Sequence, residues 1–246
     1  MSLFYIIMIK FLSFKNSILL EDENLIFINK PAFVSSLDER DANLHSIKEL
    51  AKKYNSELQL CHRLDKETSG IMVIAKNPEA YREIAMKFEA RKVEKKYHAI
   101  VDGVLNISDK VISLPLSITK KGIAKVDMQE GKPAETFFTT LKMFNHFTLL
   151  ECKPVTGRLH QIRIHLASQN FTIVSDITYG GKYPMLSRYK RNFRTSKFEN
   201  EQPMMKRVAL HAYSLSFEFS GIQYDIVAPY PKDFEVFLKL IEKFDS

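Results

Sequence analysis

One short stretch of this 246-residue chain gathers residue types that could do chemistry at close quarters: Cys61-His62-Arg63-Leu64-Asp65-Lys66-Glu67-Thr68-Ser69-Gly70. A lone carboxylate, Asp65, stands two residues after Arg63, so in extended backbone the two side chains face the same side. A held carboxylate can serve as nucleophile or base. Asp, Thr, Ser and Gly are also ordinary turn residues, whose short side chains bond back to the backbone. On spacing alone a plain turn is the simpler reading.

A second block, Pro154 to Gln169, puts charge where burial is predicted. Thr156 reads as a helix N-cap. Leu159, Ile162 and Leu166 share one stripe of the helical wheel while Ile164 points well away, which predicts a helix buried on more than one side. Yet the block carries Arg158, His160, Gln161, Arg163 and His165. Buried charge needs partners, and an internal ion-pair and hydrogen-bond network would supply them without any catalytic role. A third block, residues 182 to 207, holds Lys182, Arg188, Lys190, Arg191, Arg194, Lys197, Lys206 and Arg207 against Glu199 and Glu201, with Tyr183, Tyr189 and Phe193 interleaved. Cations among flat rings suit phosphate contact and base stacking. A solvated surface loop can have the same composition.

Regular elements must position these blocks. Residues 24 to 29 read as a buried strand stopped by Lys30-Pro31. Leu44, Ile47, Leu50, Ala51 and Tyr54 predict an amphipathic helix over 43 to 54. The Asp65 stretch falls between strands at about 58 to 64 and 70 to 76. Asn77 as N-cap and Pro78 at the first helical position start a helix that runs to about Ala90. A strand over 94 to 102 ends at Gly103 and places Tyr97, Ala99 and Val101 on one face. Short strands follow within 111 to 128 around Lys120-Lys121-Gly122, then strands at about 134 to 143 and 146 to 153. Asp176 to Gly181 reads as a loop, 209 to 219 and 222 to 228 as a hairpin about Ser220-Gly221, and 233 to 244 as a closing amphipathic helix. No repeat, low-complexity segment or Gly/Pro/Ser-rich linker interrupts this. The pattern is one strand-rich α+β domain with helices packed on a sheet.

Composition sets outer bounds. Hydrophobic content of 45% and charged content of 26% are those of a globular chain, and 18 Phe with no Trp predict a Phe-based aromatic core. The net charge of +7 biases the partner toward a polyanion. Two distant cysteines, Cys61 and Cys152, give neither a disulfide framework nor zinc-ligand spacing, and suit a reducing cytoplasm. No apolar run is long enough to span a bilayer, and the apolar start Leu3 to Met8 lacks a cleavage site.

His62-Arg63-Leu64-Asp65-Lys66-Glu67-Thr68-Ser69-Gly70 resembles the H-R-L-D-x-x-T-S-G signature of the RluA-type pseudouridine synthases. Other blocks agree in order. Asn29-Lys30-Pro31 resembles the family's N-K-P segment, Lys96-Tyr97-His98-Ala99 its K-x-Y-x-A strand, and Gly157 to Arg163 its G-R-x-H-Q-I-R block; Asp176 to Gly180 and Leu210-His211-Ala212 also match. The resemblance covers about residues 22 to 231 and implies a catalytic domain over 22 to 246 after an extension of residues 1 to 21. It implies a mixed, mostly antiparallel sheet with an active-site cleft, and isomerisation of uridine to pseudouridine in rRNA, tRNA or both. It implies no cofactor and no metal.

The resemblance also assigns roles. Asp65 would act at the sugar, attacking C1′ or removing a neighbouring proton. Arg163 would hold Asp65 ionised, and Tyr97 would pack on the base and assist removal of the C5 proton. Without the resemblance, Tyr97 is simply a core aromatic. Arg63 would fill the space left when the target base leaves its stack. His62, Thr68, Lys30, Arg158, His160 and Gln161 are expected to line the RNA site, with Arg188, Lys190, Arg191 and Arg194 gripping phosphates.

Many relatives carry an N-terminal S4-type RNA-binding domain, for which some twenty residues are too few. RNA affinity is therefore expected of the catalytic domain itself, without an obligatory protein partner and as a monomer. Ala32-Phe33-Val34-Ser35-Ser36 lacks the Gly and His usual in the family after N-K-P, and receives no role. The alternative from another class is a non-catalytic RNA-binding or ribosome-assembly protein that keeps the fold.

Overall fold

Strand-forming runs alternate with turn residues along this chain, and the computed structural model, which describes residues 13–39, 45–190, 193 and 200–245, builds them into ladders. The chain packs as two compact units. One comprises residues up to Lys95 together with Ala212–Pro229; the other comprises Lys96–His211 and the segment from Tyr230 onward.

In chain order the elements are β1 (Ile18–Glu21), β2 (Leu25–Lys30), α1 (Ile47–Tyr54), β3 (Gln59–Leu60), β4 (Ser69–Ala75) and α2 (Pro78–Glu89). Next come β5 (Glu94–Asp102), β6 (Lys110–Ser113), β7 (Leu116–Ile118), β8 (Ala124–Val126), β9 (Glu135–Met143), β10 (Phe147–Pro154) and α3 (Gln161–Ser168). The chain closes with β11 (Leu210–Phe219), β12 (Ile222–Val227) and α4 (Lys232–Phe244).

In the first unit β2 lies between β1 and β4, antiparallel to both, with Lys30 opposite Gly70. All seven residues of β4 are buried, as a central strand covered on both faces requires. Ser220 and Gly221, at φ 51° and 76°, close the β11–β12 hairpin with the two left-handed residues that such a turn demands. Phe27 stacks on Phe217 and Tyr224, at 5.9 and 5.3 Å between ring centroids. Both helices start at side-chain caps: Ser46 Oγ accepts from Glu49 N (3.0 Å) and Asn77 Oδ1 from Ala80 N (2.8 Å).

In the second unit β5, β10, β9 and β6 form consecutive antiparallel ladders, with Tyr97 opposite Cys152 and Ala99 opposite Leu150. β7 and β8 form a separate hairpin about the Lys120–Gly122 turn. The core is Phe-based as composition predicts: α4 buries Phe234, Phe237 and Ile241, and Phe237 meets Phe147 edge-on at 5.6 Å.

The α+β class and the antiparallel ladders follow the sequence pattern. Three boundaries differ from it. The helix expected from Thr156 begins only at Gln161, and the strand expected to reach residue 64 ends at Leu60. The helix expected over 43 to 54 begins at Ile47, and the earlier part of that span lies outside the described residues. The N-terminal extension expected over 1 to 21 ends in β1, which is laddered to β2. Among the described residues no helix is long and apolar enough to cross a membrane, and no cluster of His, Cys, Asp and Glu could hold a metal ion.

Candidate active site

Asp65 sits half-buried in the loop between β3 and β4, and the loop is tied down on both flanks. Before it, Ser36 Oγ donates to Leu64 O (2.7 Å) and accepts from Leu64 N (3.0 Å). After it, Thr68 N donates to Asp65 O (3.1 Å), and Phe33 N donates to Lys66 O (2.7 Å) from a left-handed backbone at φ 67°. Lys30 is wholly buried beneath, its ammonium donating to the carbonyls of Val34 (2.8 Å), Pro31 (2.9 Å) and Lys66 (3.2 Å). A buried ammonium is tolerated when carbonyls take up its protons. Here that requirement draws two loop segments onto one cation.

The residues before Asp65 divide inward and outward. His62 Nε2 accepts from Val73 N (3.1 Å), and the ring stacks on Phe88 at 4.7 Å. Burial, with the charge of Lys95, pushes its pKa down to about 3. The ring is therefore neutral and, with Nε2 accepting, protonated at Nδ1. Arg63 is exposed.

The second unit holds the other expected catalytic residues. Tyr97 is half-buried on β5, packed against the core. Arg163, in the first turn of α3, is 7% exposed and makes a bidentate pair with the fully buried Asp176: Nε donates to Oδ2 (2.6 Å) and an Nη to Oδ1 (2.7 Å). The Tyr179 ring lies 5.1 Å from the guanidinium carbon. The Tyr179 hydroxyl bonds His160 Nδ1 (2.9 Å), donates to Ala124 O (3.1 Å) and accepts from Ala124 N (3.1 Å). His160 reaches it from the helix N-cap, at φ 52°. The guanidinium is thus fixed in plane and in register, which suits it to hold an anion.

Sequence reasoning gave Asp176 and Tyr179 no role. The available signal was that a buried arginine needs a carboxylate, and Asp176 is the first acid after Arg163 in the chain.

Burial sorts the expected RNA contacts. Lys30, Thr68 (3% exposed) and Gln161 (4% exposed), all expected to line the RNA site, are turned inward. Gln161 Nε2 donates to Glu135 O and Thr136 Oγ1 (both 2.9 Å), while its Oε1 accepts from Thr156 Oγ1 (2.7 Å) and Arg158 N (3.0 Å). These side chains hold loops in place. Arg158 is exposed and, with Leu159 and Ala124, lines a groove of about 260 Å³ along the β7–β8 hairpin. Arg188 and Lys190 are exposed, with the Lys190 ammonium 5.4 Å from the Phe244 ring centroid. Arg191 and Arg194 lie outside the described residues.

Comparison with known proteins adds a relationship to this geometry. Residues 24–168 match the family model described as RNA pseudouridylate synthase. Over 227 residues the chain is 37% identical to a ribosomal large subunit pseudouridine synthase C of Buchnera aphidicola, covering 90% of this chain and 68% of that protein. Over 244 residues it is 32% identical to a ribosomal large subunit pseudouridine synthase D of Borreliella burgdorferi, covering 94% and 70%. Among solved structures, human RNA pseudouridylate synthase domain containing 4 superposes with a TM-score of 0.72 at 25% identity, over 98% of each chain.

Proposed function

The chain belongs to the RNA pseudouridylate synthase family, and from that premise we infer that Asp65 is the catalytic carboxylate of an RNA isomerase whose substrate is large-subunit rRNA. The activity is RNA pseudouridine synthesis. The reaction breaks the N1–C1′ bond of a uridine, turns the base and joins C5 to C1′. The C5 proton leaves and N1 gains one, so the product is an isomer and no oxidant or reductant is consumed.

The observation that carries the Asp65 assignment is the clamped loop. Ser36 fixes the backbone before the carboxylate, and Lys30, Phe33 and Thr68 fix it after. A nucleophile or base held still on a rigid scaffold does not spend binding energy on finding its geometry. In this reading Asp65 acts at the sugar, Arg163 stabilises its charge, Tyr97 packs on the base and assists C5 deprotonation, and the exposed Arg63 fills the vacated stack. The rRNA target rests on the names of the relatives. Cytoplasmic location and a monomeric state complete the proposal. Cys152 is buried, and burial pushes the Cys61 thiol up to about 12, so neither is a reactive thiolate at neutral pH.

RNA labelled with [5-³H]uridine tests the central assignment. Wild type is expected to release tritium, and Asp65→Asn to bind the RNA with unchanged affinity but release it at least about 10³-fold more slowly. Normal release from Asp65→Asn would overturn the assignment. Mapping pseudouridines across large-subunit rRNA with and without the gene tests the target.

A further inference from the structure

A cluster of cations in the first unit is used by nothing described above. Lys95 opens β5, and Arg91 stands in the turn that joins α2 to that strand. The two repel each other, and Lys95 also acts on His62, in the segment leading to Asp65. No hydrogen bond or ion pair joins either side chain to a carboxylate among the described residues. Arg91 holds φ at 58°, a left-handed backbone that few arginines adopt, and its N–H is bonded to Phe88 O at 3.2 Å. Burial and the charge of Arg91 push the Lys95 pKa down to about 8.

Two like charges held together on a strained turn, one of them half-buried, cost stability in the free protein. An anion between them would remove the cost. Alternation along β5 puts Lys95 on the strand face that carries Tyr97. His62, neutral and stacked on Phe88, gives the cluster a fixed apolar wall.

We propose that Lys95 and Arg91 form a binding site for a single phosphate group, occupied in the working enzyme by a backbone phosphate of the substrate RNA near the target uridine. The proposal rests on the RNA reading above and adds which residues grip the backbone beside Asp65. Free phosphate shares the same chemistry, so the test separates the two sources.

The experiment uses the full chain with an rRNA fragment, in parallel with inorganic phosphate as a probe. Lys95→Met is expected to weaken RNA binding about 10-fold and to make the plot of log affinity against log salt less steep by about one unit. Lys95→Arg is expected to keep both. Arg91→Asn suits the left-handed backbone, tests the site without touching the half-buried position, and should also weaken binding. Raising the pH from 7 to 9 should weaken RNA binding by wild type, because Lys95 loses its charge through that range. Lys95→Arg should be flat there. His62 stays neutral throughout, so it does not account for such a slope. If Lys95→Met loses the phosphate probe but keeps RNA affinity and salt slope, the site serves free phosphate and the proposal fails. Unchanged binding of both ligands by both variants also overturns it. A wild type that makes no pseudouridine would instead overturn the underlying function, and these binding measurements do not depend on turnover.

Discussion

Arg163 shows how much of one residue's role can be read from its surroundings. A guanidinium only 7% exposed on a helix must find a counter-charge, and Asp176 provides it with two hydrogen bonds of 2.6 and 2.7 Å. Removing one partner of a buried pair costs far more than the pair itself contributes, because the other charge is left without compensation. Asp176→Ala should therefore destabilise the protein by about 3–5 kcal/mol. Asp176→Asn, which still accepts a hydrogen bond, should cost less. Thermal unfolding checks the order, with about 2–4 °C expected per kcal/mol at this chain length. A loss below 1 °C in Asp176→Ala would refute the pairing as a structural tie. The need for a partner was legible in the sequence; its identity was not, since ion pairs form in space and thirteen residues separate these two. The burial of Lys30 was hidden for a related reason. Lysines are almost never fully buried, so a strand-ending Lys reads as a surface residue until its three carbonyl acceptors are seen.

At the scale of elements, strand existence was legible and loop architecture was not. β2, β4, β5 and the β11–β12 hairpin lie close to where apolar runs and turn residues place them. The start of α3 does not. Thr156 has an N-cap's chemistry, but its hydroxyl accepts from Glu135 N (3.1 Å) on β9 and donates to Gln161, so the cap is spent on a distant strand. The helix then begins at Gln161, after the left-handed His160. Gly70 is the opposite case, a residue with a turn's chemistry that stands in β4 opposite Lys30. Its φ is 118°, and a Cβ there would meet Ala212 O at 2.1 Å and Ala212 N at 2.6 Å. Both atoms are β11 backbone and cannot swing aside. Gly70→Ala should lower stability by at least about 3 kcal/mol and shift the urea midpoint with it. Because Asp65 is five residues upstream, in the loop that runs into β4, turnover should fall in whatever fraction remains folded. A midpoint within error of wild type would show that β11 can retreat.

Across the whole molecule, acid should act on stability through imidazoles before it acts through carboxylates. Burial lowers the pKa of His98 to about 4 and of His62 to about 3, and it also lowers that of His165. His98 is fixed by the Tyr230 hydroxyl, and His62 by the amide of Val73. In the unfolded chain these rings take up protons near pH 6.5. Between that value and the folded-state values the unfolded state binds more protons, so stability is full above about 6.5 and falls as the pH drops towards 4. By pH 5 the loss should be about 2 kcal/mol for each of His62 and His98. Glu21, held below its ordinary 4.5 by the hydrogen bond Lys76 donates, loses its contribution only further down. Urea unfolding at pH 8, 7, 6 and 5 should therefore give only a shallow fall between 8 and 7, as Lys95 gains charge, and a steeper decline beginning near 6.5. His98→Gln should flatten that decline by about 2 kcal/mol at pH 5 without changing the slope between pH 8 and 7. A wild-type profile that is flat from pH 7 to 5 would mean the imidazoles are charged in the folded protein. In that case the neutral His62 that walls the Lys95 cluster would fail with it.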